Sequence, residues 1–145
     1  MELINFDINR SLEELEAGPA SNKRGSMISR SSKLRQTRLK DLTTEELRIM
    51  IVQNRSLKFL VPLAIDRLQK DPFLKGDHYA GDLTNALLTI EKKFWITDLN
   101  GYIPMFKSII EQAQAIADAN PENYKSFIQH FSQAIKLFTT NIAAI

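Results

Sequence analysis

The fold is decided by residues 57–88, which read LKFLVPLAIDRLQKDPFLKGDHYAGDLTNALL. In the first part of this stretch apolar residues recur three and four positions apart, which predicts an α-helix over Leu57–Lys70. Pro72 ends that helix, because the residue before a proline is pushed out of the α region. Asp82 stands where an N-cap would begin the next helix, which is predicted over residues 83–91. We therefore expect two helices joined by a polar, glycine-containing loop.

Helix signals continue on both sides of this stretch. Two Ser/Thr–Glu pairs have the spacing of a capping box: Ser11 with Glu14, and Thr43 with Glu46. Ser56 is the predicted cap of the helix over Leu57–Lys70, and a short helix is expected over residues 27–38. Asn120 is predicted to cap the last helix with Pro121 at its first position. No strand alternation is present, so the sequence predicts an all-α fold of six to seven helices.

Length and composition narrow the class of protein. A chain of 145 residues with 43% hydrophobic and 25% charged residues is typical of one compact globular domain over residues 1–145, with residues 19–26 a loop or arm. The absence of cysteine excludes a disulfide framework and a cysteine nucleophile. No apolar run approaches the ~20 residues of a membrane span, and the first twenty residues have no secretory signal pattern. These features predict a cytoplasmic protein with no membrane partner.

Charge is distributed unevenly along the chain. Residues 1–20 hold five acidic side chains and one basic, whereas residues 21–40 hold seven basic side chains and no acidic one. The remaining residues are close to neutral. A basic segment such as 21–40 could bind nucleic acid or an acidic protein. The simpler interpretation is a solvated arm.

The loop before Asp82 holds the densest group of titratable side chains. Asp77, His78 and Asp82 could together bind a divalent ion. Each aspartate also has a simpler role, because Asp82 can cap a helix and Asp77 can bond its own backbone two residues on. No nucleotide-binding glycine pattern and no zinc spacing occurs, and the second histidine, His130, lies on the last helix. We predict no catalytic residue, no bound metal and no cofactor.

Aromatic residues leave two interpretations open. Tyr79 could fold onto the core with its hydroxyl outward, or it could anchor a partner, since tyrosine is enriched at interface hot spots. Phe94 and Trp95 are adjacent on a helix and cannot both face the core. We expect Trp95 to be the buried one.

Several short motifs occur in a characteristic order between residues 39 and 95. They are Gln53-Asn54, Pro62-Leu63-Ala64, Asp71-Pro72, the run Gly76-Asp77-His78-Tyr79-Ala80-Gly81-Asp82-Leu83, and Phe94-Trp95, with Leu47, Arg48, Ile51, Leu57 and Leu60 between or before them. The ordered set resembles the immunity proteins of bacterial contact-dependent growth inhibition (CDI) systems. The family pattern continues with an apolar residue after Leu83, whereas this chain has Thr84.

The resemblance implies a small helical cytoplasmic protein without enzymatic activity. Such a protein would bind, one to one, the toxin domain at the C-terminal end of a contact-delivered exoprotein. These toxins are often nucleases, commonly ribonucleases, and immunity usually occludes the active site or its substrate path. The alternative function is a small helical nucleic-acid-binding or regulatory protein that uses the basic segment 21–40.

A nuclease presents a basic surface, so an acidic face on the inhibitor would favour binding and specificity. This chain has a formal net charge of +2, so any such face must be local. The candidate toxin-binding residues are Glu13, Glu14, Glu16, Glu45, Glu46, Asp77, His78 and Tyr79.

Overall fold

The structure is a computed structural model that describes residues 3–17, 30–97 and 101–143. Its α-helices are α1 (Arg30–Gln36), α2 (Thr44–Val52), α3 (Leu57–Lys70), α4 (Asp82–Leu88), α5 (Lys92–Ile96), α6 (Tyr102–Ala119) and α7 (Lys125–Ala143). A π-helical turn, Glu13–Ala17, precedes α1, and a 3-10 turn, Leu39–Asp41, follows it. The described ranges contain isolated bridge pairs but no strand. The all-α prediction is confirmed.

Helix α4 lies at the centre of the fold. All seven of its residues are buried, and it packs against α2, α3 and α7. Three of these residues are polar, and Thr84 is one of them. Its hydroxyl donates to the Pro72 carbonyl at 2.7 Å. A buried hydroxyl with a partner costs little, so the core accommodates threonine where the family pattern has an apolar residue.

Aromatic side chains of α5, α6 and α7 pack together in the core. The ring of Trp95 is fully buried and lies 5.9 Å from Phe106 and 5.4 Å from Phe138, measured between ring centroids. The neighbouring Phe94 is only partly buried. The expectation that Trp95 faces the core is confirmed.

Both predicted capping boxes form. Glu46 N donates to Thr43 Oγ1 at 3.1 Å, and Thr43 N donates to Glu46 Oε1 at 2.9 Å, which starts α2. Ser11 and Glu14 exchange the same two bonds at 3.2 and 3.0 Å. The turn that follows Ser11 is π-helical rather than α-helical. The predicted loop 19–26 and residues 27–29 of the helix predicted over residues 27–38 lie outside the described residues.

Of two predicted helix caps, Ser56 stands at the N-cap position of α3 but its side chain does not cap the helix, and the predicted start of the last helix at Asn120 is wrong. Ser56 has a left-handed backbone, with φ 50°, and its side chain makes no capping bond, because the tight connection from α2 fixes its conformation. Asn120 ends α6 instead of starting α7, since its backbone and side-chain nitrogens both donate to the Ile116 carbonyl. Pro121 then begins a turn, and α7 starts at Lys125. None of the described helices has the length and apolar character of a membrane span.

Candidate functional site

The loop between α3 and α4 is organised by the carboxylate of Asp82. Oδ1 accepts from the Gly76 amide at 2.7 Å, and Oδ2 accepts from the amides of His78 at 3.1 Å and Tyr79 at 3.4 Å. The prediction that Asp82 caps α4 is wrong. The N-cap is Gly81, and Asp82 is the first helical residue, only 3% exposed. Its carboxylate turns back to the loop because three otherwise unpaired amides converge there.

Glu45 fastens the same loop to α2. Its Oε1 accepts from the Asp77 amide at 2.8 Å and from Arg48 Nε at 2.8 Å, and Oε2 accepts from Arg48 Nη2 at 2.5 Å. The hydrogen bonds from the Arg48 guanidinium are the main reason that the pKa of Glu45 falls to about 2. The bond from the Asp77 amide lowers this pKa further, whereas burial of the carboxylate opposes the shift. Four successive amides, 76 to 79, therefore donate to two carboxylates.

Close approaches explain both glycines of the loop. A Cβ atom at Gly76 would lie 2.5 Å from Glu45 Oε1 and 2.9 Å from Asp82 Oδ2. At Gly81 the backbone has φ +92°, and a Cβ would lie 2.5 Å from Cδ1 of Phe127 on α7. Gly81 is therefore required by both its backbone and its neighbour, whereas a Cβ at Gly76 would displace the Glu45 and Asp82 carboxylates from the loop amides.

Asp71, and not Asp77, forms the local turn expected in this loop. Asp71 Oδ1 accepts from the Phe73 amide at 2.9 Å, which is the bond predicted for Asp77. The Phe73 ring then stacks on Tyr124, with 4.1 Å between centroids. Helix α4 ends at Leu88 and not at 91, because the Thr89 backbone and hydroxyl both donate to the carbonyl of Ala86.

A groove of about 770 Å³ opens between α2, the loop, α4 and α7. Its side walls are formed by Arg48 and Val52 of α2, His78 and Tyr79 of the loop, and His130 and Leu137 of α7. The Tyr79 ring stacks on His130 with 4.9 Å between centroids and 11° between planes. The Tyr79 ring is thus a partly buried wall of the groove, and burial raises the pKa of its hydroxyl.

Two apolar side chains stand exposed on opposite helices of the groove. Val52 is 48% exposed and Leu137 is 44% exposed; Ile96, at 48%, is the other large apolar side chain that is exposed in the described ranges, and it lies outside the groove. Sequence reasoning missed Val52 and Leu137. The signal available was that each is apolar but lies off the buried face of its helix.

Asn85 of α4 lies in the floor of the groove and is 4% exposed. Its Nδ2 donates to the Tyr79 hydroxyl at 3.0 Å and to the Phe127 carbonyl at 3.3 Å. Oδ1 has no hydrogen-bond partner within the part of the chain that the structure describes. A buried carbonyl oxygen without a partner is uncommon.

The predicted toxin-binding residues fall into two separate groups. His78 and Tyr79 line the groove, and Glu45 and Asp77 are joined at the loop beside it. Glu46 is engaged in the cap of α2. The N-terminal group of Glu13, Glu14 and Glu16 belongs to the π-helical turn, which contacts α1.

Ion pairs neutralise part of the N-terminal charge. Glu16 pairs with Arg35, and Glu14 lies 3.8 Å from Arg10. Arg38 pairs with Asp41 at 2.8 Å. Two of the basic side chains in segment 21–40 therefore have acidic partners, while residues 21–29 lie outside the described part.

The geometry around the loop gives the carboxylates a structural role. Both oxygens of Asp82 are bound by amides. Across the described ranges no three His, Cys, Asp or Glu side chains are arranged to hold a metal ion. Ser126 and His130 are one turn apart in the groove, but His130 Nδ1 bonds the Ser126 carbonyl at 2.8 Å rather than its hydroxyl.

Comparison with known proteins agrees with the motif pattern. A family model of CDI immunity proteins matches residues 11–101. No match was found among curated proteins or among solved structures. The matched region contains the loop, α2 and α4, and it extends the resemblance seen over residues 39–95. Because it covers more than half of the chain, this protein belongs to the CDI immunity proteins, which neutralise CDI toxins.

Proposed function

We propose that the protein neutralises a nuclease toxin, specifically a ribonuclease. It binds the C-terminal toxin domain of a CDI exoprotein in a 1:1 complex in the cytoplasm and occludes the active site or the path to it. Membership of the CDI immunity proteins carries this proposal. The charge around the loop supports the nuclease part.

The loop side of the molecule has a local acidic excess. The first residues of α2 and the loop 75–82 hold the carboxylates of Glu46 and Asp77 beside one exposed basic side chain, Lys75, while Glu45 is paired with Arg48 and Asp82 is buried. Nucleases must bind phosphates, so their substrate path is basic. An acidic surface on a protein inhibitor increases the association rate and disfavours wrong partners. The local excess therefore fits a toxin of this class, although the whole chain carries +2.

The protein acts by binding and not by catalysis. General acid–base or nucleophilic catalysis needs a reactive group within hydrogen-bond reach of a base. In the groove, the Asp82 carboxylate is bound by loop amides and the His130 ring nitrogen by a backbone carbonyl. These bonds give the two side chains structural roles in the groove, which supports binding as its function.

Co-expression with the cognate toxin domain tests the proposal. The purified complex is expected to have the mass of one copy of each chain, and equimolar protein is expected to stop RNA cleavage by the toxin. Absence of a complex would contradict the proposed binding. A complex that still cleaves RNA at the rate of the free toxin would contradict occlusion, and a toxin that leaves RNA intact would contradict the ribonuclease assignment.

A further inference from the structure

The groove between α2, α4 and α7 has apolar side chains exposed on its opposite sides. Val52 and Leu137 belong to different helices, and nearly half of each side chain is exposed to solvent. Single exposed apolar residues are common on protein surfaces. Two of them on either side of one concave site mark a place where a partner can bury apolar surface. The groove volume, about 770 Å³, is large enough to receive a side chain of a partner protein.

The groove floor also holds a polar pair with spare bonding capacity. Asn85 is only 4% exposed, yet its Oδ1 has no hydrogen-bond partner among the described residues. The Tyr79 hydroxyl accepts from Asn85 Nδ2, which leaves its own proton available to donate. An unpaired buried acceptor is unfavourable in the free protein. A polar group of a partner, or a water molecule held at the interface, could satisfy it.

Hydrogen bonds and ring stacking hold the loop wall of the groove in place in the free protein. The loop wall is fixed by the Asp82 and Glu45 carboxylates, and the Tyr79 ring is stacked on His130. Rigid surfaces lose little conformational entropy on binding. The loop wall is therefore preorganised.

Charge favours one occupant. The loop end of the groove adjoins the exposed carboxylate of Asp77, while Glu45 is paired with Arg48 of the groove wall and Asp82 is buried. A two-fold dimer of this protein through the groove would place each surface patch against its own copy. Like charges would then face each other, which opposes binding. A nuclease domain brings the opposite charge.

We propose that this groove is the toxin-docking site, and that an apolar side chain on a basic surface of the toxin inserts between Val52 and Leu137. The proposal rests on the proposed function and adds the site and the kind of contact. Val52 and Leu137 are then interface anchors, with Asn85 and Tyr79 bonding beneath them.

Three matched substitutions test the site: Val52→Asp and Leu137→Asp in the groove, and Ile96→Asp outside it. All three place a carboxylate where a large apolar side chain is 44–48% exposed. Burial of an unpaired charge opposes binding. We expect Val52→Asp and Leu137→Asp each to weaken the affinity for the purified toxin domain at least about 30-fold, and Ile96→Asp to change it less than about threefold. Calorimetric titration measures the affinity, and thermal unfolding checks that each variant is folded.

Val52→Ala and Leu137→Ala provide milder variants if a charge disturbs folding. Each is expected to weaken toxin binding about fivefold or more, because part of the buried apolar surface is removed. The failure of the inference is distinguishable from the failure of the proposed function. Wild-type protein that binds no toxin contradicts both. If all groove variants bind the toxin with wild-type affinity, only the docking site is overturned. The docking site is also overturned if the free protein is a dimer that Val52→Asp dissociates without weakening toxin binding.

Discussion

The N-terminal turn and the loop before α4 both contain several carboxylates, but these side chains differ in burial and in what they bind. At the N-terminal turn, Glu16 is paired with Arg35, and about one-third of each side chain is exposed. At the loop, Asp82 is 3% exposed and binds backbone amides. Exposed ion pairs contribute little to stability because water and salt screen them. A buried carboxylate that satisfies several amides determines the conformation of the backbone around it.

Among the substitutions that test this comparison, the replacement of Asp82 should lower the free energy of unfolding the most. Asp82→Ala leaves the amides of Gly76, His78 and Tyr79 unpaired and removes a carboxylate that lies 3.9 Å from Arg48. We expect it to lower the free energy of unfolding by about 3–5 kcal/mol. Urea denaturation measures the loss. Glu16→Ala is the control and should cost less than about 1 kcal/mol; equal losses in the two variants would contradict the difference between the regions.

The next largest effect is expected at Gly81. Gly81→Ala combines a positive φ with a Cβ 2.5 Å from the Phe127 ring, so Phe127 or the loop must shift. We expect a loss of about 2–4 kcal/mol. Gly101→Ala is a matched control, because Gly101 also has a positive φ, +74°, but nothing lies within 4 Å of its Cβ position. Its loss should be about 1 kcal/mol. Similar losses would show that backbone strain, and not the close approach, accounts for Gly81.

Glu45 should make stability depend on pH. Its pKa is about 2 in the folded protein, against 4.5 for the free side chain. The contribution of its charge is therefore fully present above about pH 4.5 and is lost as the pH falls toward 2. We expect Glu45→Gln to be less stable than wild type by about 1–3 kcal/mol at pH 7, with the difference shrinking below pH 4.5. Denaturant titrations between pH 2.5 and pH 7 measure it; a difference independent of pH would contradict the role of the charge.

The smallest effect is expected for the ion pair between Glu16 and Arg35. Both side chains are about one-third exposed. A double-mutant cycle with Glu16→Ala and Arg35→Ala should give a coupling energy below about 1 kcal/mol that decreases further in high salt. Thermal and urea unfolding of the four proteins provide the cycle. A coupling as large as the loss at Asp82 would remove the contrast between the two regions.

Local signals in the sequence predicted much of the helical fold. Thr43 with Glu46 formed the expected capping box, and the apolar spacing before Pro72 gave α3 its observed bounds. Those predictions succeeded because the bonds that determine them join residues close in sequence. The prediction for Asn120 was wrong because asparagine is common both after the end of a helix and before the start of one, and here its backbone amide belongs to the end of α6.

The candidate site was predicted only in part. His78 and Tyr79 were identified from loop composition, and both line the groove. Val52 and Leu137 were missed because they approach one site from helices 85 positions apart in the chain. Asp82 was given the wrong role because its partners are fixed by the path of the loop and not by helix signals. Side chains brought together by tertiary packing leave no local pattern.

Hydrogen–deuterium exchange tests directly which region the toxin contacts. The measurement compares peptides from the groove, residues 48–56 and 126–138, with the N-terminal turn, residues 11–17, in free protein and in the toxin complex. The proposed docking site predicts slower exchange in the groove peptides on toxin binding and no change at residues 11–17. Protection at residues 11–17 with unchanged exchange in the groove would contradict it.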